Sequence, residues 1–250
     1  ANLDILHYLK KELILLKQNA FFIKIPFLIY NTWSFIKKGV VNTMEHKMID
    51  SLKTGIRGEK MFTCLAHKLI KNGDIATAID VTEREEYREY DIDFFINTRE
   101  GYHAVEIKTD SYSNTGNMFY EEYSCYERKT NGCFNKTRAN VLLYYFCDTK
   151  CLYVFYDVNK FREWYHNRKE DFKERRIKNR LSRNKQFTSL GRLIPRKILE
   201  EEGKDFVKKI TVSNDYKSAK AMLEAIQLAI PYKSGEDINK SDKVLVYNES

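Results

Sequence analysis

Three polar residues on two neighbouring segments carry the clearest chemical signal in the chain: Asp93 within residues 90–97, and Glu106 and Lys108 within residues 102–108. Both segments are rich in strand-forming residues, and the turn at residues 98–101 makes them a hairpin. Side chains alternate along a strand, so Glu106 and Lys108 share one side while Ile107 faces the opposite, buried layer. The hairpin brings Asp93 beside Glu106. Two adjacent carboxylates suit a hard divalent cation such as Mg²⁺, and the main-chain carbonyl of Ile107 could add a further oxygen. Mg²⁺ keeps several waters, and a water of lowered pKa can attack a phosphodiester in line. An ammonium at Lys108 can orient or help deprotonate that water, or neutralise charge on the transition state.

These strands need a frame, and the hydrophobic periodicity supplies one. Residues 2–18 and, after Pro26, residues 26–39 read as helices. Asn42 or Thr43 can cap a third through Met44, Met48, Ile49 and Leu52, ending where Gly55 breaks the pattern. Residues 57–73 form an amphipathic helix with a glycine C-cap at Gly73. Strands are predicted at 74–81, 90–97, 102–108 and 118–123. A short helix opens at Asn135 or Lys136, and strands follow at 141–146 and 152–156. Asn159 can cap a helix through Phe161, Trp164 and Tyr165, which runs into a basic stretch at 168–185 holding nine Lys or Arg against three Asp or Glu. That stretch reads equally as a solvated helix face or as a phosphate-tracking surface. A strand at 206–212, a helix near 218–230 and a polar tail complete the chain. The succession of helix, meander, helix and strand describes a mixed α/β core. It divides into a helical N-terminal extension (1–54), a core (55–157) and a basic helical region with a strand and helix completing or flanking the core (158–250).

Composition narrows the partners. The 250 residues carry 43 Lys plus Arg against 35 Asp plus Glu, a formal charge of +8, which favours an anionic partner with nucleic acid first. A hydrophobic content of 43% with only three prolines excludes disordered and fibrous classes. Five cysteines without a secretory signal or zinc-knuckle spacing point to free thiols and a cytoplasmic setting. The apolar stretch at 19–36 is interrupted by Lys24 and Pro26, so no stable membrane insertion is expected, although residues 1–40 could lie on a membrane surface.

The pattern Asp93, then Glu106-Ile107-Lys108, resembles the PD-(D/E)XK nuclease superfamily, the restriction-endonuclease-like fold shared by restriction enzymes, phage junction resolvases and repair nucleases. The resemblance covers residues 55–157 and includes 115–121 and 132–139, which look like a segment of some phage nucleases. It implies a mixed central sheet flanked by helices. It also implies that Glu59, in Arg57-Gly58-Glu59, contacts the metal with Asp93 and Glu106. No proline precedes Asp93, and Asp91 competes for its role. Asp93 is preferred because it directly precedes Phe94-Phe95-Ile96, as the family's metal Asp does, with Asp91 on the same face as a supporting group. Glu121 is a further candidate carboxylate. Lys136 and Arg138, at the start of a short helix, are candidate phosphate ligands, as are Arg175, Arg176, Lys178 and Arg180 in the basic stretch.

The expected function is therefore metal-dependent endonucleolytic hydrolysis of DNA with Mg²⁺, for which Mn²⁺ would substitute. Double-strand cleavage would most simply need a homodimer. The competing expectation is a catalytically silent nucleic-acid-binding or protein-interaction module on the same fold.

Overall fold

The computed structural model describes residues 46–182 and 185–232. The helices expected at 2–18 and 26–39, the membrane-surface reading of residues 1–40 and the polar tail lie outside them. The first element is α1 (His46–Lys71). Its stripe of Phe62, Leu65, Ala66 and Leu69 recurs at helical spacing and is buried, and Lys68 and Lys71 occupy its last turn. Gly73, at φ 73, closes it in the left-handed conformation, with the Asp74 N–H returning to the Leu69 carbonyl at 2.9 Å. The break expected at Gly55 does not occur. One glycine costs a helix only about 1 kcal/mol relative to alanine, which the packing of the buried stripe offsets. The boundary placed at 54/55 consequently falls inside α1.

The chain continues through β1 (Thr77–Asp80), α2 (Glu85–Arg88), β2 (Phe94–Asn97), β3 (Tyr102–Asp110), β4 (Asn117–Cys125), β5 (Thr130–Asn131), α3 (Cys133–Lys136), β6 (Val141–Phe146) and β7 (Cys151–Phe155). Then come α4 (Val158–Arg168), β8 (Lys173–Ser182), β9 (Lys185–Pro195), α5 (Arg196–Glu202), β10 (Val207–Thr211) and α6 (Tyr216–Ile226). These strands form two sheets. The first is six-stranded and mixed, in the order β1-β2-β3-β6-β7-β10, with β3 and β6 parallel and its other neighbours antiparallel. The second is four-stranded and antiparallel, in the order β5-β4-β9-β8. Both draw strands from either side of position 157. The fold is mixed α/β, with helices flanking a mixed sheet.

Every residue of β6 and β7 is buried, as their unbroken apolar sequences require of strands covered on both faces. One face packs Phe94, Ile96, Val105, Ile107, Leu143 and Val154 against α1 and α6. The other packs Leu142, Tyr144, Phe146, Tyr153 and Phe155 against Met118 and Tyr120 of the second sheet and Phe161 and Tyr165 of α4. Ile107 thus belongs to the helical layer, and the alternation of β3 turns Glu106 and Lys108 toward the other one. Among the described residues no helix is long and apolar enough to cross a membrane.

Two expectations are corrected. The basic stretch after Trp164 is not a helix beyond Arg168: α4 ends there and the chain enters the β8–β9 hairpin. The charge density suits either structure, and hairpin pairing with residues 185–195 decides it, leaving the charges on an edge strand. The short helix begins at Cys133 rather than at Asn135 or Lys136, so Lys136 is its last residue. A smaller difference is that Asp157, not Asn159, caps α4, accepting the Lys160 N–H at 2.9 Å.

Candidate active site

The site forms where β2 begins beside the middle of β3. Phe94 pairs with Val105, and Asp93, one residue earlier, donates its own N–H to the Val105 carbonyl at 2.9 Å. Past this point β2 no longer covers β3. Asp93 Oδ2 takes over, accepting the Ile107 N–H at 2.8 Å. The N–H and C=O of a strand residue point toward the same edge, so the Ile107 carbonyl is directed away from β6 and toward Asp93.

The Asp93 and Glu106 carboxyls lie close enough to act on each other. Burial raises the Asp93 carboxyl above its usual value, opposed chiefly by the Ile107 N–H and then by the neighbouring Glu106 side chain. Glu106 is only 6% exposed, and burial followed by the charge of Asp93 pushes it well above the carboxylate range. Its Oε1 accepts a long hydrogen bond from the Cys133 thiol at 3.4 Å. The pKa of that thiol is raised well above the ordinary value, first by burial and then by Glu106.

Lys108 lies two residues along on the same side of β3. The side chains of Cys133, Glu121, Glu106 and Asp91 surround it and hold its pKa above the ordinary lysine value against the cost of burial. It is an ammonium at neutral pH. The ammonium form suits orienting a nucleophile and neutralising charge.

Glu59 reaches the group from α1. The close approach of α1 to β3 depends on Gly58, where a Cβ would stand 2.0 Å from Thr109 Oγ1 and 3.0 Å from Ile107 Cγ2. Burial and the charges of Asp93, Asp80 and Glu83 raise the Glu59 carboxyl. Its link to the pair thus runs through Asp93. Among the described residues no three His, Cys, Asp or Glu side chains are gathered as a preformed metal cluster. The donor chemistry at Asp93 and Glu106 nevertheless suits a hard cation: a half-buried and a buried carboxyl lie together, and a carbonyl points to the same place.

Asp91 departs from its expected position. It precedes β2 in a turn, at φ 44, rather than sharing a strand face with Asp93. Its carbonyl accepts the Thr137 hydroxyl at 2.6 Å, and its Oδ1 binds Lys136 Nζ at 2.8 Å. Lys136 also donates to the Arg88 carbonyl at 3.1 Å, and Arg138 stacks over Tyr90 with its Cζ 4.1 Å from the ring centroid. These two cations therefore clamp the α3 segment to the 88–91 turn rather than standing at a helix N-terminus. Glu121, half-buried on β4, contributes charge beside Lys108. Arg175, Arg176 and Lys178 are exposed on β8, and Arg180 lies on the same strand.

The sequence reading left Cys133 and Arg162 outside the site. Cys133 enters because Gly132 lets the chain press against β4, where a Cβ would stand 2.1 Å from the Glu121 carbonyl. Arg162 of α4 is buried, donating from Nε to the Phe134 carbonyl at 2.6 Å, from Nη2 to the Thr137 carbonyl at 2.5 Å, and from Nη1 to Asn159 at 2.9 Å. It fixes the segment that carries Cys133 and Lys136. Only the Gly-Cys step at 132–133 hints at this in the sequence. Comparisons with protein-family models, with curated proteins and with solved structures returned no match.

Proposed function

We propose that the chain is a metal-dependent endonuclease of the restriction-endonuclease-like fold that hydrolyses phosphodiester bonds in DNA. The observation that carries this reading is the convergence of Asp93, Glu106 and Lys108 where β2 uncovers β3, with the Ile107 carbonyl directed to the same place. The order of elements supports it: a helix bearing Glu59, an antiparallel meander of β1, β2 and β3, then a crossover to the parallel strand β6.

Asp93, Glu106 and the Ile107 carbonyl would hold Mg²⁺, with Glu59 acting on it through Asp93. When bound, the ion supplies positive charge to the scissile phosphate and an acidified water as nucleophile. As ligands, Asp93 and Glu106 would both be carboxylates. Lys108, a fixed ammonium, neutralises the charge that develops on the phosphate oxygens. Cys133 and Arg162 hold Glu106 and its surroundings in place.

The test is conversion of supercoiled plasmid by wild type, Asp93→Ala, Glu106→Ala and Lys108→Ala in Mg²⁺, Mn²⁺ or EDTA. Wild type should nick or linearise only with metal, and each variant should bind without cutting. A wild type that binds plasmid and never cuts it or RNA would instead favour a catalytically silent nucleic-acid-binding module. That second reading draws on the exposed cations of β8 and requires no metal.

A further inference from the structure

The second sheet narrows to two strands at one end. β4 pairs with β9 from Asn117↔Pro195 as far as Tyr123↔Leu190, whereas β8 stays paired with β9 out to Ser182↔Lys185. Glu127 closes off the end of the β4 side by accepting the Thr188 N–H at 3.0 Å. Beyond it the hairpin continues as a two-stranded antiparallel ribbon. Between Glu174 and Glu200 the sequence holds no acidic residue. Lys173, Arg175 and Lys178 are exposed on β8 and make no ion pair among the described residues. Arg176 is exposed as well, paired with Glu174 at 2.9 Å and lying 5.1 Å over Tyr126.

Such a concentration of unneutralised cations on one exposed strand is complementary to a polyanion. The form of the polyanion follows from two further features. A two-stranded β-ribbon fits the major groove of B-form DNA, about 12 Å wide, and does not enter the narrow, deep major groove of A-form RNA. Single strands are held instead on open aromatic platforms. Among the described rings at this ribbon, Tyr126 is already engaged by Lys129 at 4.1 Å and by Arg176, and Phe187 of β9 is a single, half-buried ring, so no row of open rings is offered to successive bases.

We propose that the β8–β9 hairpin is the element that grips double-helical DNA, its two-stranded end entering the major groove and contacting phosphates through Lys178, with Arg175 and Arg176 doing so at its base, where β9 is still paired with β4. This rests on the reading of DNA as the substrate and adds to it the substrate form and the binding element. Arg175, Arg176 and Lys178 belong to the second sheet, whereas Glu106 and Lys108 lie on β3 of the first and Asp93 directly precedes its β2, so binding and hydrolysis can be tested separately.

Fluorescence anisotropy of the full chain in EDTA tests this, using labelled duplex DNA, duplex RNA and single-stranded DNA of one sequence about 20 nucleotides long. Wild type should prefer duplex DNA over the other two by about tenfold or more. The triple variant R175A/R176A/K178A should lower the slope of log K against log salt by about 2 to 3, and weaken binding on the order of 100-fold near 0.1 M salt. The double variant R175Q/K178Q leaves the Arg176 contacts intact and should give about two-thirds of that slope change. The control K204A/K208A/K217A, which removes three exposed lysines elsewhere, should stay within about twofold of wild type. The proposal is overturned if the ribbon variants bind as wild type does, if the control loses as much, or if single strands or duplex RNA bind as tightly as duplex DNA. The same titrations on Asp93→Ala separate the two readings. Loss of cleavage leaves the ribbon result standing, and loss of ribbon dependence leaves metal-dependent cleavage at low salt standing.

Discussion

The side chain of Asp93 completes the edge of β3 by accepting the main-chain N–H of Ile107 at 2.8 Å, in the place where the next residue of β2 would otherwise pair. One carboxyl thus serves both as a backbone cap and as half of the acid pair. Asp93→Asn keeps an oxygen for Ile107 and relieves the crowding with Glu106, whereas Asp93→Ala leaves the N–H without a partner. In urea denaturation under EDTA, Asp93→Ala should be less stable than Asp93→Asn by about 1–3 kcal/mol. Equal stabilities would show that the bond to Ile107 contributes nothing.

The two glycines of α1 should respond in opposite directions. Gly55 has nothing within 4 Å of the position a Cβ would take, so Gly55→Ala should stabilise the protein by up to about 1 kcal/mol through helix propensity alone. Gly58→Ala would place a methyl 2.0 Å from Thr109 Oγ1 and must push α1 off β3. It should cost about 1–3 kcal/mol and also reduce metal-dependent cleavage by displacing Glu59. Thermal melts alongside the plasmid assay read both effects.

His103 gives the fold an acid limit. It is fully buried, its Nδ1 lies 3.3 Å from Asn140 Nδ2, and burial lowers its pKa from 6.5 to about 4, opposed weakly by Glu100. Since the unfolded chain takes up the proton first, stability is lost as pH falls from about 6.5 toward about 4, amounting to at most about 3 kcal/mol. His103→Gln keeps an acceptor for Asn140 without titrating. Its unfolding free energy should vary less than that of wild type between those pH values, and an unchanged slope would assign the acid sensitivity elsewhere.

Arg162 should matter to catalysis without touching substrate. Arg162→Lys retains the charge but not the three-way donation to Phe134, Thr137 and Asn159. It should lose about 2–4 kcal/mol of stability by leaving buried carbonyls unpaired, and lower kcat more than it raises KM because Cys133 and Glu106 lose their fixed register. Urea denaturation together with steady-state cleavage of a short duplex separates the two. An unchanged kcat in a folded Arg162→Lys protein would remove the segment 133–137 from the site.

The central sheet was legible because its signals are local. The hairpin turning at Gly101 and the buried runs of β6 and β7 appear within a few residues of where composition places them. The pairing of Asp93 with Glu106 was legible for the same reason, since one short turn joins their strands. Most of what escaped depends on distant partners. The exception is local: Arg175 and Lys178 sit on a strand of the β8–β9 hairpin, whose charged sequence lacks the apolar alternation and the glycine turn that announce one. Asp91 left the strand because Lys136 and Thr137, far along the chain, hold it in a turn. Cys133 joined the site through the contact of Gly132 with β4, which spacing does not encode.

The second sheet is assembled from two separate excursions of the chain. β4 and β5 leave between β3 and β6, and β8 and β9 leave between β7 and β10. Neither excursion can form that sheet alone, and their ends are anchored in strands of the first. The β4–β9 ladder therefore joins segments separated in the chain by β6, β7 and α4, a pairing that carries a large loop-closure entropy. A cut near position 157 would strip β4 of β9 while leaving β3 and β6 paired, so the smallest piece retaining the Asp93–Glu106 pair in its native surroundings must run through β10.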